Sequence, residues 1–209
     1  MILTPAVRAT AGLGITQIIG WGTTFLMPSV LGRPIEHDLG LPSEVVYGGI
    51  TVMFGVGALF APLVGKSMDR IGARGLMASG SLLYALSLAA LSASQGLVSY
   101  LLCWAAMGVA STLALNTPAS IALAQVAGQR ARQAIAVLAI VGGFASTVFW
   151  PLSGVLEPWV GWRGTLLIFA GLHLFVCLPV HLLMLPGRPP AVPVTTAPPT
   201  GRRPSAPRW

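Results

Sequence analysis

The sequence predicts an all-α membrane protein with six transmembrane helices, arranged as two three-helix units of inverted topology. Three observations predict it. The 209 residues are 55% hydrophobic and only 8% charged, with a mean hydropathy of +0.80, whereas a soluble domain carries about 25% charged residues. The few charges leave long windows empty: no Asp, Glu, Lys or Arg occurs in residues 9–32, 45–65, 75–129, 133–156 or 164–187. Finally, one pattern is written twice. PLVGKSMDRIGARG at 62–75 and PLSGVLEPWVGWRG at 151–164 both fit P-L-x-G-x6-G-x-R-G, with an offset of 89 residues.

Each charge-free window is read against the roughly 20 apolar residues that one spanning helix needs. Four windows hold one helix each. The 55-residue window 75–129 holds two, divided at Ser92-Ala-Ser-Gln-Gly96, whose small and polar residues suit a turn. The spans are placed at about 10–32, 45–66, 75–94, 97–122, 133–156 and 163–185. The first apolar run, after Arg8, exceeds the 7–15 residues of a signal h-region and ends without a small-residue cleavage site, so it reads as a retained helix. Residues 1–186 form the transmembrane domain. In the stretch 186–209, eight of 24 residues are proline, so 187–209 is expected to be a disordered cytoplasmic tail. Cys103 and Cys177 lie inside spans with no metal-type spacing and read as buried small side chains.

Orientation follows from the cations, which collect on the cytoplasmic side. With the N-terminus inside, ten of the twelve basic residues fall inside: Arg8, Lys66, Arg70, Arg74, Arg130, Arg132 and the four tail arginines. Only Arg33 and Arg163 fall outside, with Glu36, Asp38, Glu44 and Glu157. Both termini are therefore expected in the cytoplasm, with the chain in the inner membrane. Three spans separate the two copies of the repeated pattern, so the copies face opposite sides, a plan common among secondary transporters. The inner copy keeps Lys66 and Arg70, and the outer copy lacks that bias.

The stretch GKSMDRIGAR at 65–74 resembles the helix 2–3 motif of the major facilitator superfamily, G-x-x-x-D-R/K-x-G-R-R/K, with Ala73 where one arginine is usual. Gly161-Trp162-Arg163 at the entry to helix 6 and Pro151-x-x-Gly154 near the end of helix 5 are also similar to that superfamily, although Trp150 replaces a small residue. Members have twelve spans in two six-helix halves around a central cavity, so the resemblance implies that this chain is the N-terminal half of a major facilitator fold. It implies secondary transport of a small solute by alternating access, by a truncated or half-size protein. It also implies a conformational latch of Gly65, Asp69, Arg70, Gly72 and Arg74, in which Asp69 pairs with Arg70 or Arg74, or with Arg130 or Arg132 at the end of helix 4. A simpler reading needs only the turn-forming glycines and topology-setting cations.

Helix 1 places Gln17, Trp21, Thr24 and Pro28 on one face, and helix 4 does the same with Trp104, Gly108, Thr112 and Asn116. Helices 1 and 4 line the cavity in the superfamily. Gln17, Trp21, Thr24, Trp104, Thr112 and Asn116 are therefore candidate cavity residues, with interhelical hydrogen bonding as the alternative. Asn116-Thr-Pro118 marks a candidate kink. The rows Gly57, Ala61, Gly65 and Gly142, Gly143, Ser146 are expected to serve close helix packing.

No carboxylate lies within a span, and the arginine that a subset of the superfamily associates with proton coupling is absent. His173 and His181 are the only groups in helix 6 that titrate near neutral pH. Few charges favour a neutral or hydrophobic solute. The partners expected are that solute, the lipid bilayer, and a second six-helix half or a second copy of the chain. No enzymatic activity, cofactor, metal or nucleic acid is expected, since topology and anionic lipid account for the basic face. Two alternatives stand beside transport: a nonfunctional fragment and a membrane scaffold subunit. An intramembrane protease using Ser153 and His173 is disfavoured, because Pro151 occupies the position where that motif needs glycine.

Overall fold

The computed structural model describes residues 5–185 and Gly187; the side chains of Pro5 and Asp69 and the rest of the Pro-rich tail lie outside that description. Helices α1 (Pro5–Thr23), α2 (Pro28–Leu39), α3 (Ser43–Ser92), α4 (Leu97–Ala114), α5 (Asn116–Ala127), α6 (Ala131–Gly143), α7 (Ala145–Leu172) and α8 (Leu178–Met184) follow one another, with no strand among the described residues. A 3-10 turn at Gly128–Arg130 joins α5 to α6, and a π turn at His173–Cys177 joins α7 to α8. By length and composition, three stretches can cross a membrane: Ser43–Met68, Arg70–Ser92 and Leu97–Met184. The turn at 92–96 falls where the small polar residues place it, between the end of α3 and the start of α4.

Elsewhere the sequence leads one to expect loops, and the structure has single-residue breaks. The stretch 67–74 is helical except at Gly72, with φ 75° and ψ 166°. The stretch 157–162 is helical except at Gly161, with φ 67° and ψ 173°. That backbone region is essentially open to glycine alone. The two glycines occupy the same place in the repeated pattern, 89 residues apart, and adopt nearly the same conformation. Helix 1 also breaks, through Thr24–Met27 ahead of Pro28, and helix 4 breaks at Leu115. The bend at Leu26 and the bend at Leu115 are again 89 residues apart.

In lipid, association between helices rests on close van der Waals packing, because lipid tails are as apolar as the side chains. Helices α3 and α4 make the most extensive contact of the bundle. Their crossing is permitted by glycine: a Cβ on Gly108 would lie 2.5 Å from the Met53 carbonyl oxygen, and one on Gly57 would lie 3.3 Å from the Gly108 carbonyl oxygen. Gly57 thus packs as its row predicts, while Gly65 has nothing within 4 Å.

The buried apolar residues fall into two clusters. One gathers Leu31, Ile35, Val46, Leu91, Tyr100 and Trp162 with their neighbours. The other gathers Leu13, Met68, Ala73, Leu76, Leu123 and Leu185. Between them on three helices stand Thr16, Ser81 and His181, which bond to one another. His181 Nδ1 lies 2.8 Å from Ser81 Oγ, and Nε2 lies 3.2 Å from Thr16 Oγ1. Higher on helix 1, Thr23 Oγ1 lies 2.9 Å from His173 Nε2, and the His173 ring stacks on Tyr84 with 4.7 Å between centroids. Both threonine hydroxyls donate to carbonyls of their own helix, those of Leu13 and Ile19. Each threonine oxygen is thus placed to accept from the imidazole Nε2.

The π turn explains how both pairs form. The two threonines are seven residues apart, close to two helical turns, whereas the histidines are eight apart and would diverge by about 80° on a regular helix. One extra residue in a wide turn restores the shared face. His181→Leu leaves Thr16 and Ser81 without this partner, so a loss of about 1–3 kcal/mol is expected, since that is the cost of stranding a buried polar group. Thermal unfolding in detergent reads it.

Candidate functional site

The break in helix 4 at Leu115 lies against Gly20, in the body of helix 1, and two side chains of helix 1 hold it. Gln17 is buried, and its Nε2 donates to the Ala114 carbonyl, 3.2 Å away, at the broken end of α4. A helix end leaves its last carbonyls without intrahelical partners, and Gln17 supplies one. Trp21 Nε1 donates across 3.4 Å to Asn116 Oδ1, on the first residue of α5. Gln17 Oε1 has no partner among the described residues.

Trp21 and Asn116 also line a hollow of about 450 Å³ with Phe25, Ser120, Leu138 and Gly142, between helices α1, α5 and α6. A smaller hollow of about 170 Å³ adjoins it and shares Trp21, Phe25, Gly142 and Gly143. α6 lies close to α1 at Gly142, where a Cβ would make ordinary contact with Gln17 Cβ at 3.8 Å. The larger lining offers two aromatic faces, one amide and one hydroxyl, and none of the residues lining these two hollows is charged. A third hollow of about 500 Å³ lies along the start of α1, with Arg130 and Gln133 on its polar side.

The other candidate cavity residues stand elsewhere. Thr24 is buried, and its hydroxyl donates to the Gly20 carbonyl of its own helix at 2.6 Å. Thr112 donates to the Val109 carbonyl at 2.7 Å and packs near Gly57. Trp104 is fully buried against Gly49 of α3, and its Nε1 has no hydrogen-bond partner among the described residues. None of the three lines these hollows. Of the aromatic and polar residues lining the larger hollow, the sequence reading missed two, Phe25 and Ser120. Each lies four residues beyond a chosen one, Trp21 or Asn116, so the helical spacing that selected those would have found them.

In the motif stretch, Arg70, Arg74, Arg130 and Arg132 are exposed, while the Asp69 side chain lies outside the described residues. Ala73, which stands where the superfamily pattern has arginine, is 1% exposed inside the second apolar cluster. His173 gives its Nε2 to Thr23, so the Ser153–His173 pairing of the protease alternative is not formed among the described residues.

The densest polar contact belongs to a residue given no role by the sequence reading. Arg163 donates to Asp38 Oδ2 from Nη2 at 2.8 Å and from Nε at 3.2 Å. It also donates to the Ser94 carbonyl at 2.9 Å and to the Ser92 carbonyl, and its guanidinium lies 4.3 Å from the Trp162 ring centroid. The pair is 40% and 47% exposed, and an exposed ion pair alone contributes about 0–1 kcal/mol. The two carbonyls at the end of α3 matter more, because they are C-terminal groups that a cation can satisfy. One side chain thus joins α2, the α3–α4 turn and α7.

A helical membrane bundle with an uncharged hollow where two helices break has the construction of a polytopic carrier. The chain matches the Major Facilitator Superfamily over residues 12–209 and belongs to it. It is also similar to an MFS-type efflux pump of Mycolicibacterium smegmatis, with 31% identity over 186 residues, 85% of this chain and 42% of the relative. The chain therefore spans about two fifths of the length of that curated relative. Membership makes it an integral membrane protein of a transporter family.

Proposed function

We propose that residues 5–185 form the six-span, N-terminal type of half of an alternating-access carrier, whose solute binds at Trp21, Phe25 and Asn116. The six-span reading is supported by the long helical stretch Leu97–Met184, 88 residues. Straightened, it would measure about 130 Å, against a hydrocarbon core of about 30 Å. The inverted 3+3 repeat is supported by the matched breaks at Gly72 and Gly161 and at Leu26 and Leu115. An inner-membrane location with both termini cytoplasmic is supported by the cation bias, and the meeting at Arg163 of α2, the α3–α4 turn and α7 supports their lying on one side of the membrane.

The observation that carries the function is the hollow lined by Trp21, Phe25 and Asn116, which borders the breaks of both helices. Its walls suit a neutral, partly aromatic solute with one hydrogen-bonding group. A second six-helix bundle, from a longer polypeptide or another chain, completes the cavity. The exposed residues Val137, Ile140 and Phe144 of this part of the bundle suit such a neighbour. The latch reading of Asp69, Arg70 and Arg74 with Arg130 and Arg132 remains the inner gate of this scheme. Outward transport follows the relative's name as an efflux pump.

Titration of the purified chain with a panel of neutral aromatic solutes, read by thermal stabilisation, tests this. At least one solute is expected to stabilise it. Asn116→Leu and Trp21→Leu are each expected to weaken that binding about tenfold or more, the equivalent of about 1.4 kcal/mol. Stabilisation that both variants leave intact would place the solute elsewhere.

A further inference from the structure

The structure points to a clasp on the outer side, in the second copy of the repeated pattern. We propose that Arg163 locks α2, the outer segment of helix 1, and so closes the hollow at Trp21 and Phe25 toward the outer side. This rests on the carrier reading and adds a second, outer gate to it.

The placement of the residues carries the proposal. Helix 1 is not one rod. The segment Thr24–Met27 interrupts it, and Pro28 begins a separate helix. Phe25 of the hollow sits in that interruption, and Trp21 lies one helical turn before it. A swing of α2 about Thr24–Met27 therefore pivots at Phe25 and Leu26, which line the hollows, while no residue of α2 itself does; Phe25 is 41% exposed with the clasp made. At the far end of α2, Gly40 stops the helix with φ 63°, returning its N–H to the Glu36 carbonyl. Asp38, in the last turn, is the residue that Arg163 grips. The lever and its lock are thus at opposite ends of one short helix.

Arg163 is itself well anchored for this task. It follows Gly161 by two residues, and the break at that glycine starts the segment that carries the arginine. The Ser92 and Ser94 carbonyls hold the guanidinium from a third direction. Between hinge and tip, α2 presents Leu31, Gly32 and Ile35 to the bundle. Gly32 faces the Tyr47 hydroxyl, where a Cβ would come within 2.9 Å. This small residue keeps α2 seated closely while the clasp is made. The inner copy has Arg74 in the place of Arg163, again two residues beyond its extended glycine. The two arginines thus stand at equivalent positions of the repeated pattern.

A reporter cysteine decides it without a transported solute. Phe25→Cys is introduced into the full chain in sealed vesicles with the outer face outward, and a membrane-impermeant maleimide is added outside. The native Cys103 and Cys177 are buried and report unfolding if they react. Arg163→Ala is expected to speed labelling at position 25 about tenfold, equivalent to about 1.4 kcal/mol, and Asp38→Asn, which removes only the ion pair, by about twofold to fivefold. Arg163→Lys is expected to fall between, since one ammonium cannot reproduce the planar fork that serves Asp38 and two carbonyls.

Unchanged labelling in Asp38→Asn and Arg163→Ala, with the native cysteines unreactive, overturns the clasp and leaves the carrier reading standing. If Arg163→Ala exposes the native cysteines, Asp38→Asn decides, because it removes only the charge. A reporter at position 25 that no outside reagent reaches in any variant overturns the clasp together with the outward route through the hollow.

Discussion

Ala73→Arg, which writes the superfamily's arginine back into the motif, is expected to destabilise the chain by about 3 kcal/mol, the scale of an uncompensated buried charge. The pattern makes this substitution look like a repair. The packing makes it damage, because Ala73 is 1% exposed among Met68, Leu76 and Leu123. An arginine there must either bury its guanidinium or pry the motif stretch off α5. Ile71→Arg is the control: Ile71 is 54% exposed two residues away, and surface changes usually stay within about 0.5 kcal/mol. Thermal unfolding of both variants in detergent decides the matter. Equal midpoints would mean that residue 73 is not packed as described.

Gly108→Val is expected to cost a similar amount, about 3 kcal/mol, at the upper end of overpacking effects. The new Cβ would meet the Met53 carbonyl oxygen at 2.5 Å and Val56 Cβ at 3.0 Å. The nearest atom is backbone, so no side-chain rotation relieves the clash and α3 must move away from α4. Gly55→Val supplies the comparison, since a Cβ at Gly55 meets nothing within 4 Å. A midpoint well below that of the Gly55 variant is the expected result, and equal midpoints would sink the close-crossing account.

The all-helical, apolar character of the fold was legible because lipid imposes simple rules. Charge-free windows of sufficient length have few explanations other than spanning helices, and the Ser92–Gly96 turn announced itself by composition. The break in helix 4 was signalled by Asn116-Thr-Pro118, although it falls at Leu115, ahead of the proline. The break in helix 1 was not read, because Pro28 was counted as part of a continuous face. A proline at the first position of a new helix costs nothing, since its missing N–H has no partner there. The motif stretches were expected as loops, because a single extended glycine inside continuous helix leaves no compositional trace.

The candidate site was half legible for a related reason. Spacing selected Gln17, Trp21 and Asn116, which the structure brings to one place, but it also selected Thr24, Thr112 and Trp104. Which side of a helix faces a hollow, rather than its neighbour or its own carbonyls, depends on helix rotation. Arg163 was passed over because a cation on the outer side reads as an exception to a topology rule. Its partners come from segments 71 and 125 residues away in sequence, a distance no local pattern spans.

The division of the apolar core has a mechanical meaning. The Thr16–Ser81–His181 row lies between two separate greasy clusters, so polar bonds rather than apolar packing join the helices at that level. Local openings in proteins follow such cooperative units. One end can loosen while the other stays shut, held at the middle by bonds that need only directions and not a tight fit. For the proposed carrier, which is never open at both ends at once, this division gives each end an apolar cluster of its own.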